Sequence, residues 1–321
     1  MDWPAGPVLV IGRAGMDLYA DPPGARIAQA DRFTTALGGS AANIAAGLAR
    51  QGVRVGLLGC YADDDVGAFI AAQLDAYGID RRHMRAVSGA SRNSLAIVET
   101  RMEMGRVLYR NGAADLAFSD HDVAGVDWSA WAVVVTTGTV LASEPARSAT
   151  LQALQAARDA GLRLVLDIDW RPESWTSTDD ARAITARVAA MCDIVVGNDD
   201  EFAVLAGTYD SGLDAARGLV AKGAALVVYK MGEKGAVALT PGAEHRSGIW
   251  RVDAIKPVGA GDGFLAGLLA GLSAGHEPAA AVLRGAATAA IVVANVGCAP
   301  ASPSTFALDL FMSTHSHPPE T

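Results

Sequence analysis

The chain has 321 residues, 51% of them apolar, and no low-complexity linker, which is enough for one large domain with a well-buried core. Its formal net charge of −9 and pI of about 5.1 exclude a general affinity for nucleic acid or for an anionic membrane surface. No run approaches the ~18 consecutive apolar residues of a membrane span, and Met1-Asp2-Trp3-Pro4 lacks the basic and apolar segments of an export signal, so the expectation is a soluble, cytoplasmic protein.

Val8 to Ile11 reads as a short apolar strand ending at Gly12. Ala41 to Arg50 has helical composition and is closed by Gly52, and Val53 to Leu58 is a second strand, so the chain opens β-α-β. The rhythm continues with strands over Ala132–Thr136, Leu162–Leu166, Ile194–Val196 and Leu226–Tyr229. Helices over Glu144–Ala160, Asp179–Ala190 and Leu213–Ala221 alternate with them, and an apolar helix runs from about Gly263 to Leu272. Such alternation predicts an α/β protein with a parallel sheet covered on both faces and ligands at the strand C-terminal ends. Residues 16–37 and 91–111 break the rhythm with half-exposed antiparallel strand patterns, such as Ser94 to Thr100 and Arg106 to Arg110, and read as insertions that form a small flap. Residues 312–321, rich in His, Pro and Ser, read as a disordered tail after a single domain over 1–311. Cys60, Cys192 and Cys298 are odd in number and set among apolar residues, which suits reduced core thiols, and no His pair has metal-ligand spacing.

The stretch that carries most chemistry is Gly259-Ala260-Gly261-Asp262, at the mouth of the helix that begins near Gly263. Small residues let successive backbone N–H groups point into one concavity, and the helix dipole adds positive potential, which makes a site for an anion. A carboxylate at the lip of an anion site suits a base facing the atom that attacks a phosphate; the bland alternative is that Asp262 caps the helix. Gly261-Asp262-Gly263-Phe264-Leu265-Ala266 also fits a relaxed dinucleotide fingerprint, but Lys256-Pro257 stands where a strand is needed and no acid follows near Leu283. Gly38-Gly39-Ser40-Ala41-Ala42-Asn43 again sets small residues before a helix. It reads either as a close approach of ligand to backbone, with Asn43 addressing a hydroxyl-bearing ligand, or as a tight capped turn. Asp17, in the segment after the first strand, could accept two sugar hydroxyls or be an ordinary loop acid.

Taken together and in this order, the Gly39-to-Asn43 and Gly259-to-Asp262 elements resemble the two signature motifs of the ribokinase/PfkB carbohydrate kinases, over roughly residues 8–310. The resemblance implies a three-layer α/β/α ribokinase-like domain with a mainly parallel central sheet and a small β lid over a sugar. By that likeness Asp262 is the catalytic base, and the amides of Gly259, Ala260 and Gly261 form the anion hole. Asp17, Gly38, Gly39 and Asn43 bind the sugar; Asn198 and Glu201 organise Mg²⁺ and phosphate, Glu201 through water. Lys230, Gly232 and Gly235 resemble the nucleotide loop, and Asn295 falls where the family lines the adenine pocket. ATP and Mg²⁺ are therefore expected. Near a helix N-terminus the Asp262 carboxyl is expected to keep a low pKa.

Further details, among them Asp167 to Pro172 with Trp175, resemble a branch of the family whose substrates are keto-acid sugars phosphorylated on a primary hydroxyl. A substrate carboxylate asks for a guanidinium, and Arg13, Arg110 and Arg171 are the candidates; Arg171 could instead face the nucleotide phosphates, and each could be a surface salt bridge. One departure stands out. Most of the family carries Asp-Thr-Thr before Gly-Ala-Gly-Asp, and the leading Asp and second Thr help hold a monovalent cation; here those positions are Lys256 and Val258. No monovalent cation requirement is expected. The edges of lid strands make a homodimer through the lid plausible. The rival from another class is a catalytically silent sugar-binding regulator on the same fold.

Overall fold

The structure is a computed structural model that describes residues 2–316 apart from residue 104. In chain order the first half comprises β1 (Val8–Ile11), β2 (Gly15–Asp21), β3 (Arg32–Gly38), α1 (Ser40–Arg50), β4 (Val55–Ala62), α2 (Asp65–Ala76) and β5 (Asp80–Val87). There follow β6 (Leu95–Val98), β7 (Arg106–Tyr109), α3 (Asp120–Ala124), β8 (Val133–Thr137), α4 (Ala146–Asp159), β9 (Arg163–Asp167), α5 (Thr178–Ala189) and β10 (Ile194–Asn198). The chain continues through α6 (Asp199–Ala206), α7 (Gly212–Ala221), β11 (Leu226–Lys230), β12 (Ala236–Thr240) and β13 (Ala243–Ser247). It ends in three helices, α8 (Ala260–Ser273), α9 (Pro278–Val293) and α10 (Thr305–Thr314).

Nine strands form one sheet in the order β13-β12-β11-β10-β9-β8-β1-β4-β5. All neighbours from β11 to β5 run parallel, and β12 and β13 add an antiparallel edge. Successive side chains of a strand face opposite ways, so Val8 and Val10 pack with α1 and α8 on one face while Leu9 and Ile11 pack with α4 on the other. Both faces are buried, which is why these strands read as continuous apolar runs. The order reverses at β1, whose successor β4 lies on one side and β8 on the other, so the loops after β1, β8 and β9 open into one crevice.

A second sheet of four strands, β3-β2-β6-β7, stands over that crevice. It is built from the two segments that break the sequence rhythm, with one correction: β2 pairs with β6 in parallel, not antiparallel. The two are not hairpin partners; the chain passes through β3, α1, β4, α2 and β5 between them, and that long crossover brings β6 back alongside β2 in the same sense. Helix ends follow the local signals. Gly52 takes φ +83° and the Val53 amide bonds the Leu48 carbonyl, closing α1, so the strand expected from Val53 starts at Val55. The tail expected from Met312 is helical to Thr314, because Phe311 and Met312 pack beside Trp250 and Leu308. The rest of that expectation, 317–321, lies outside the described residues.

Candidate active site

The loop after β1, the lid strands β2, β6 and β7, and the starts of α1 and α8 surround a cavity that is partly open to solvent. Arg13, Asp17, Gly39, Asn43, Gly259 and Asp262 line it together with Arg110 and Arg171, whereas the expected Gly38, Ala260 and Gly261 are not among its lining residues. Ala96, Val98 and Leu108 give it an apolar lid.

The glycines before α1 make room for the protein itself. A Cβ at Gly38 would run into the Asp17 carboxylate, and one at Gly39 into the Arg13 carbonyl, while Gly39 also takes φ +96°. The pocket's own wall therefore approaches this backbone closely, and Gly39 also lines the cavity. Across the small sheet, Gly15 registers with Gly38, which brings Asp17 onto the cavity side. Asp17 is buried; its Oδ2 accepts from the Tyr19 hydroxyl at 3.2 Å, and its Oδ1 has no partner. Burial raises its pKa, and Arg13 opposes the shift.

Helices α1 and α8 cross closely because Gly47 faces Ala266, where any larger residue would overlap the alanine methyl. One turn earlier on each helix stand Asn43 and Asp262. Asn43 Nδ2 donates to Asp262 Oδ2 at 2.8 Å, and Asn43 Oδ1 is buried without a partner. Two buried acceptors, Asp17 Oδ1 and Asn43 Oδ1, therefore border one cavity, and a buried acceptor left bare is costly unless a donor arrives. A polyol supplies such donors.

Asp262 does not cap α8. The N-cap is Gly259 at φ +86°, where a side chain would meet the Cys298 thiol, and Asp262 is the third helical residue, turned to Asn43. The expected low pKa is also overturned: burial, and next the charge of Asp169, push the Asp262 carboxyl up to about 7, outweighing Asn43, Arg171 and Lys230. Of the three amides expected to face an anion, that of Ala260 makes a long 3.4 Å bond to the Pro257 carbonyl. Those of Gly259 and Gly261 bond no acceptor among the described residues. The Lys230 ammonium stands beside Gly261, 3.5 Å from where its Cβ would be.

Asn198 and Lys230 are register partners at the C-terminal ends of β10 and β11, so the strands deliver both to the same end of the sheet. Asn198 and Glu201 cap α6 reciprocally: the Glu201 amide donates to Asn198 Oδ1 at 2.9 Å, and the Asn198 amide to Glu201 Oε2 at 2.7 Å. Glu201 is buried, and its pKa is raised by that burial against the field of Lys230. Gly232 and Gly235 take φ +55° and +86° in the turn from β11 to β12, outside the cavity. Asn295 follows α9, is exposed, and donates to the Ile291 carbonyl at 2.8 Å; it too lies outside the cavity. Among the described residues no group of three or more acidic, His or Cys side chains forms a metal cage.

Sequence reasoning missed three contributors. Asp169, buried at the strained φ of +34°, accepts from Ser40 Oγ at 2.6 Å and Thr139 Oγ1 at 3.2 Å and pairs with Arg171 at 2.8 Å. Asp167, just before it, is buried and carries a strongly raised pKa from that burial. Arg106 of β7 lines the cavity and pairs with Glu173 of the body at 2.5 Å. Nothing in a linear reading marks a positive φ or a lid-to-body pair; only the acid-rich run after β9 was legible.

Lys256 is fully buried. Its ammonium donates to the carbonyls of Val258 at 2.8 Å and Val292 at 3.0 Å, and burial lowers its pKa. Cys60, Cys192 and Cys298 are free and buried, as expected.

A crevice at the switch point of a parallel sheet, with a carboxyl beside free amides at a helix start, is the architecture of a phosphoryl-transfer enzyme acting on a hydroxyl-bearing substrate. The chain belongs to the pfkB family of carbohydrate kinases, whose model matches residues 6–305. It is 38% identical over 313 residues to a 5-dehydro-2-deoxygluconokinase of Photobacterium profundum, covering 95% of this chain and 94% of that protein. It is also similar to an aminoimidazole riboside kinase from Salmonella enterica solved with aminoimidazole riboside and an ATP analogue. That pair shares 28% identity and a TM-score of 0.82, over 96% of this chain and all (100%) of the other. A fructokinase variant from Vibrio cholerae, solved with fructose, ADP and a potassium ion, has 25% identity and a TM-score of 0.83, over 97% and 99% of the two chains. The chain is thus a sugar kinase with the ribokinase-like fold, and its family implies ATP and a divalent metal. Among the described residues no helix is long and apolar enough to cross a membrane.

Proposed function

We propose that the protein transfers the γ-phosphoryl group of ATP to the 6-hydroxyl of 5-dehydro-2-deoxy-D-gluconate, in the cytoplasm. The observation that carries this reading is the Asn43–Asp262 pair beside two bare acceptors and two bare amides, within a cavity that also holds four guanidinium groups. Three of these guanidinium groups are paired with protein carboxylates, and that of Arg13, which has none within ion-pairing distance among the described residues, suits an anionic sugar. The name of the Photobacterium relative supports the particular acid.

In this reading Asp17 Oδ1 and Asn43 Oδ1 accept sugar hydroxyls and fix the ring, and the lid residues Val98 and Leu108 exclude water. Asp262 takes the proton of the primary hydroxyl as its oxygen bonds to the γ-phosphorus and the bond to the bridging oxygen of ADP breaks. The amides of Gly259 and Gly261 and the ammonium of Lys230 face the charge on the transferring group. Mg²⁺ supplies charge neutralisation on the phosphates, with Glu201 addressing it through water. Gly232, Gly235 and Asn295 would lie along the nucleotide.

Lys256 takes the part that a monovalent cation plays elsewhere in the family: a charge held by two carbonyls at the back of the anion loop. The fructokinase variant was solved with potassium, whereas this chain carries its own cation. Exposed Phe33, Val107 and Tyr109 on the outer strands of the lid support a lid-to-lid homodimer, which sedimentation would test.

The test of the function is release of ADP with purified protein, ATP and Mg²⁺ against a panel of 5-dehydro-2-deoxygluconate, 2-keto-3-deoxygluconate and fructose. The highest kcat/KM is expected with the first. A preference for either other sugar would reassign the substrate, and no turnover with any sugar would favour a silent sugar-binding regulator.

A further inference from the structure

Four arginines line the cavity, and three are already neutralised by the protein. Arg110 pairs with Asp115 at 2.7 Å, Arg171 with Asp169 at 2.8 Å and Arg106 with Glu173 at 2.5 Å. Arg13 differs. Among the described residues no carboxylate lies within ion-pairing distance of its guanidinium, whose side-chain bond is a 2.9 Å contact from Nη1 to the Ser94 hydroxyl. Its surroundings do not make up the deficit: burial and the like charge of Arg110 disfavour its protonated form, while Asp115, Asp17 and Asp169 act on it from beyond contact. The Asp17 carboxylate, in the same cavity, spends one oxygen on Tyr19 and leaves the other bare rather than turning to Arg13. An unpaired cation and an unsatisfied acceptor kept apart in one small space complement a ligand that carries an anion at one end and hydroxyl donors at the other.

We infer that Arg13 is the specificity-determining residue that reads the carboxylate of the sugar acid, while Arg106, Arg110 and Arg171 hold the pocket together through their protein partners. This rests on the reading of the protein as a sugar-acid kinase. The position in the chain explains the division of labour. Arg13 sits in the turn from β1 into the lid strand β2, where its carbonyl abuts Gly39 and its side chain enters the cavity at the switch point. Arg110 is tied instead to the Thr139 carbonyl at 3.0 Å as well as to Asp115, so turning it to a ligand would break a buried pair.

The experiment compares wild type with Arg13→Met, which keeps much of the stem, and Arg13→Lys, which keeps the charge without the fork. Steady-state kinetics with 5-dehydro-2-deoxygluconate and with fructose are measured, together with the melting temperature with and without each sugar. For Arg13→Met, KM for the acid should rise about ten- to a hundredfold with kcat little changed, the worth of one charge-assisted pair. KM for fructose should stay within about twofold, and Arg13→Lys should recover part of the loss. The ligand-free melting temperature should be unchanged or higher, since the variant removes an uncompensated charge, while the rise caused by the acid should shrink. Equal losses on both sugars, an unchanged KM for the acid, or a collapse of ligand-free stability would each overturn the assignment. The wild-type panel separates the two failures: a wild type that prefers the acid while Arg13→Met treats both sugars alike sinks only Arg13, whereas a wild type that prefers fructose sinks the substrate reading and this inference with it.

Discussion

Asn43 and Asp262, 219 residues apart in the chain, are joined by a 2.8 Å hydrogen bond from Nδ2 to Oδ2. The bond gives the carboxylate a fixed direction in the cavity and leaves its second oxygen free of any protein donor among the described residues. Replacing Asp262 with Asn should therefore leave sugar and nucleotide binding nearly intact while kcat falls by ~10²–10⁴, the usual worth of a positioned general base. Turnover within tenfold of wild type would remove Asp262 from that role.

The same carboxyl sets a pH dependence. With its pKa pushed to about 7 by burial and by Asp169, the base form gains ground as pH rises, so kcat/KM for the sugar should climb through an acidic limb centred near 7. Stability runs the other way. An unfolded aspartate titrates near 4, so between about 4 and 7 the folded protein holds a proton that the unfolded chain has lost, and the Asp262 contribution declines as pH rises across that window. Asp262→Asn should flatten that decline in melting temperature measured from pH 4 to 8; identical slopes for the two proteins would refute it.

Asn43→Ala removes the donor that opposes the upward shift of Asp262. The acidic limb of kcat/KM should move to higher pH and kcat should fall at pH 7, with partial recovery at pH 9. A drop in kcat that is uniform across pH would mean that Asn43 serves the sugar alone.

Gly47→Ala probes the helix crossing without touching the cavity. The added methyl would overlap that of Ala266, so overpacking should cost roughly 1–3 kcal/mol of stability and push α1 from α8, lengthening the Asn43–Asp262 bond. Denaturant titration and kcat should decline together; loss of stability with wild-type kcat would show that the crossing does not position the base.

Lys256 leads to a test with ions. Initial rates with K⁺ replaced by tetramethylammonium at constant ionic strength should be nearly equal, since the ammonium is fixed by the chain and screening is held constant. Lys256→Met should lower kcat. A severalfold rise when K⁺ is restored to wild type would mean that a cation site survives beside Lys256.

The α/β rhythm and the two glycine elements were legible in the sequence because they rest on local chemistry. Val8 to Ile11 needs only its apolar run to become a buried strand, Gly52 only its missing Cβ to end α1, and Gly259 only its φ of +86° to open α8. The same is true of the charge balance and of the residues able to act as base, cation or hydroxyl partner. Tertiary structure alone decided how they behave. Asp262 reads as a low-pKa carboxyl, a weak base, at a helix start, and becomes a group titrating near 7 because burial and Asp169, far away in the chain, outweigh Asn43, Arg171 and Lys230. Arg13, Arg110 and Arg171 read alike in a linear chain. Folding pairs two of them with Asp115 and Asp169 and leaves Arg13 without a counterion, since Coulomb partners and desolvation depend on distance in space rather than in sequence.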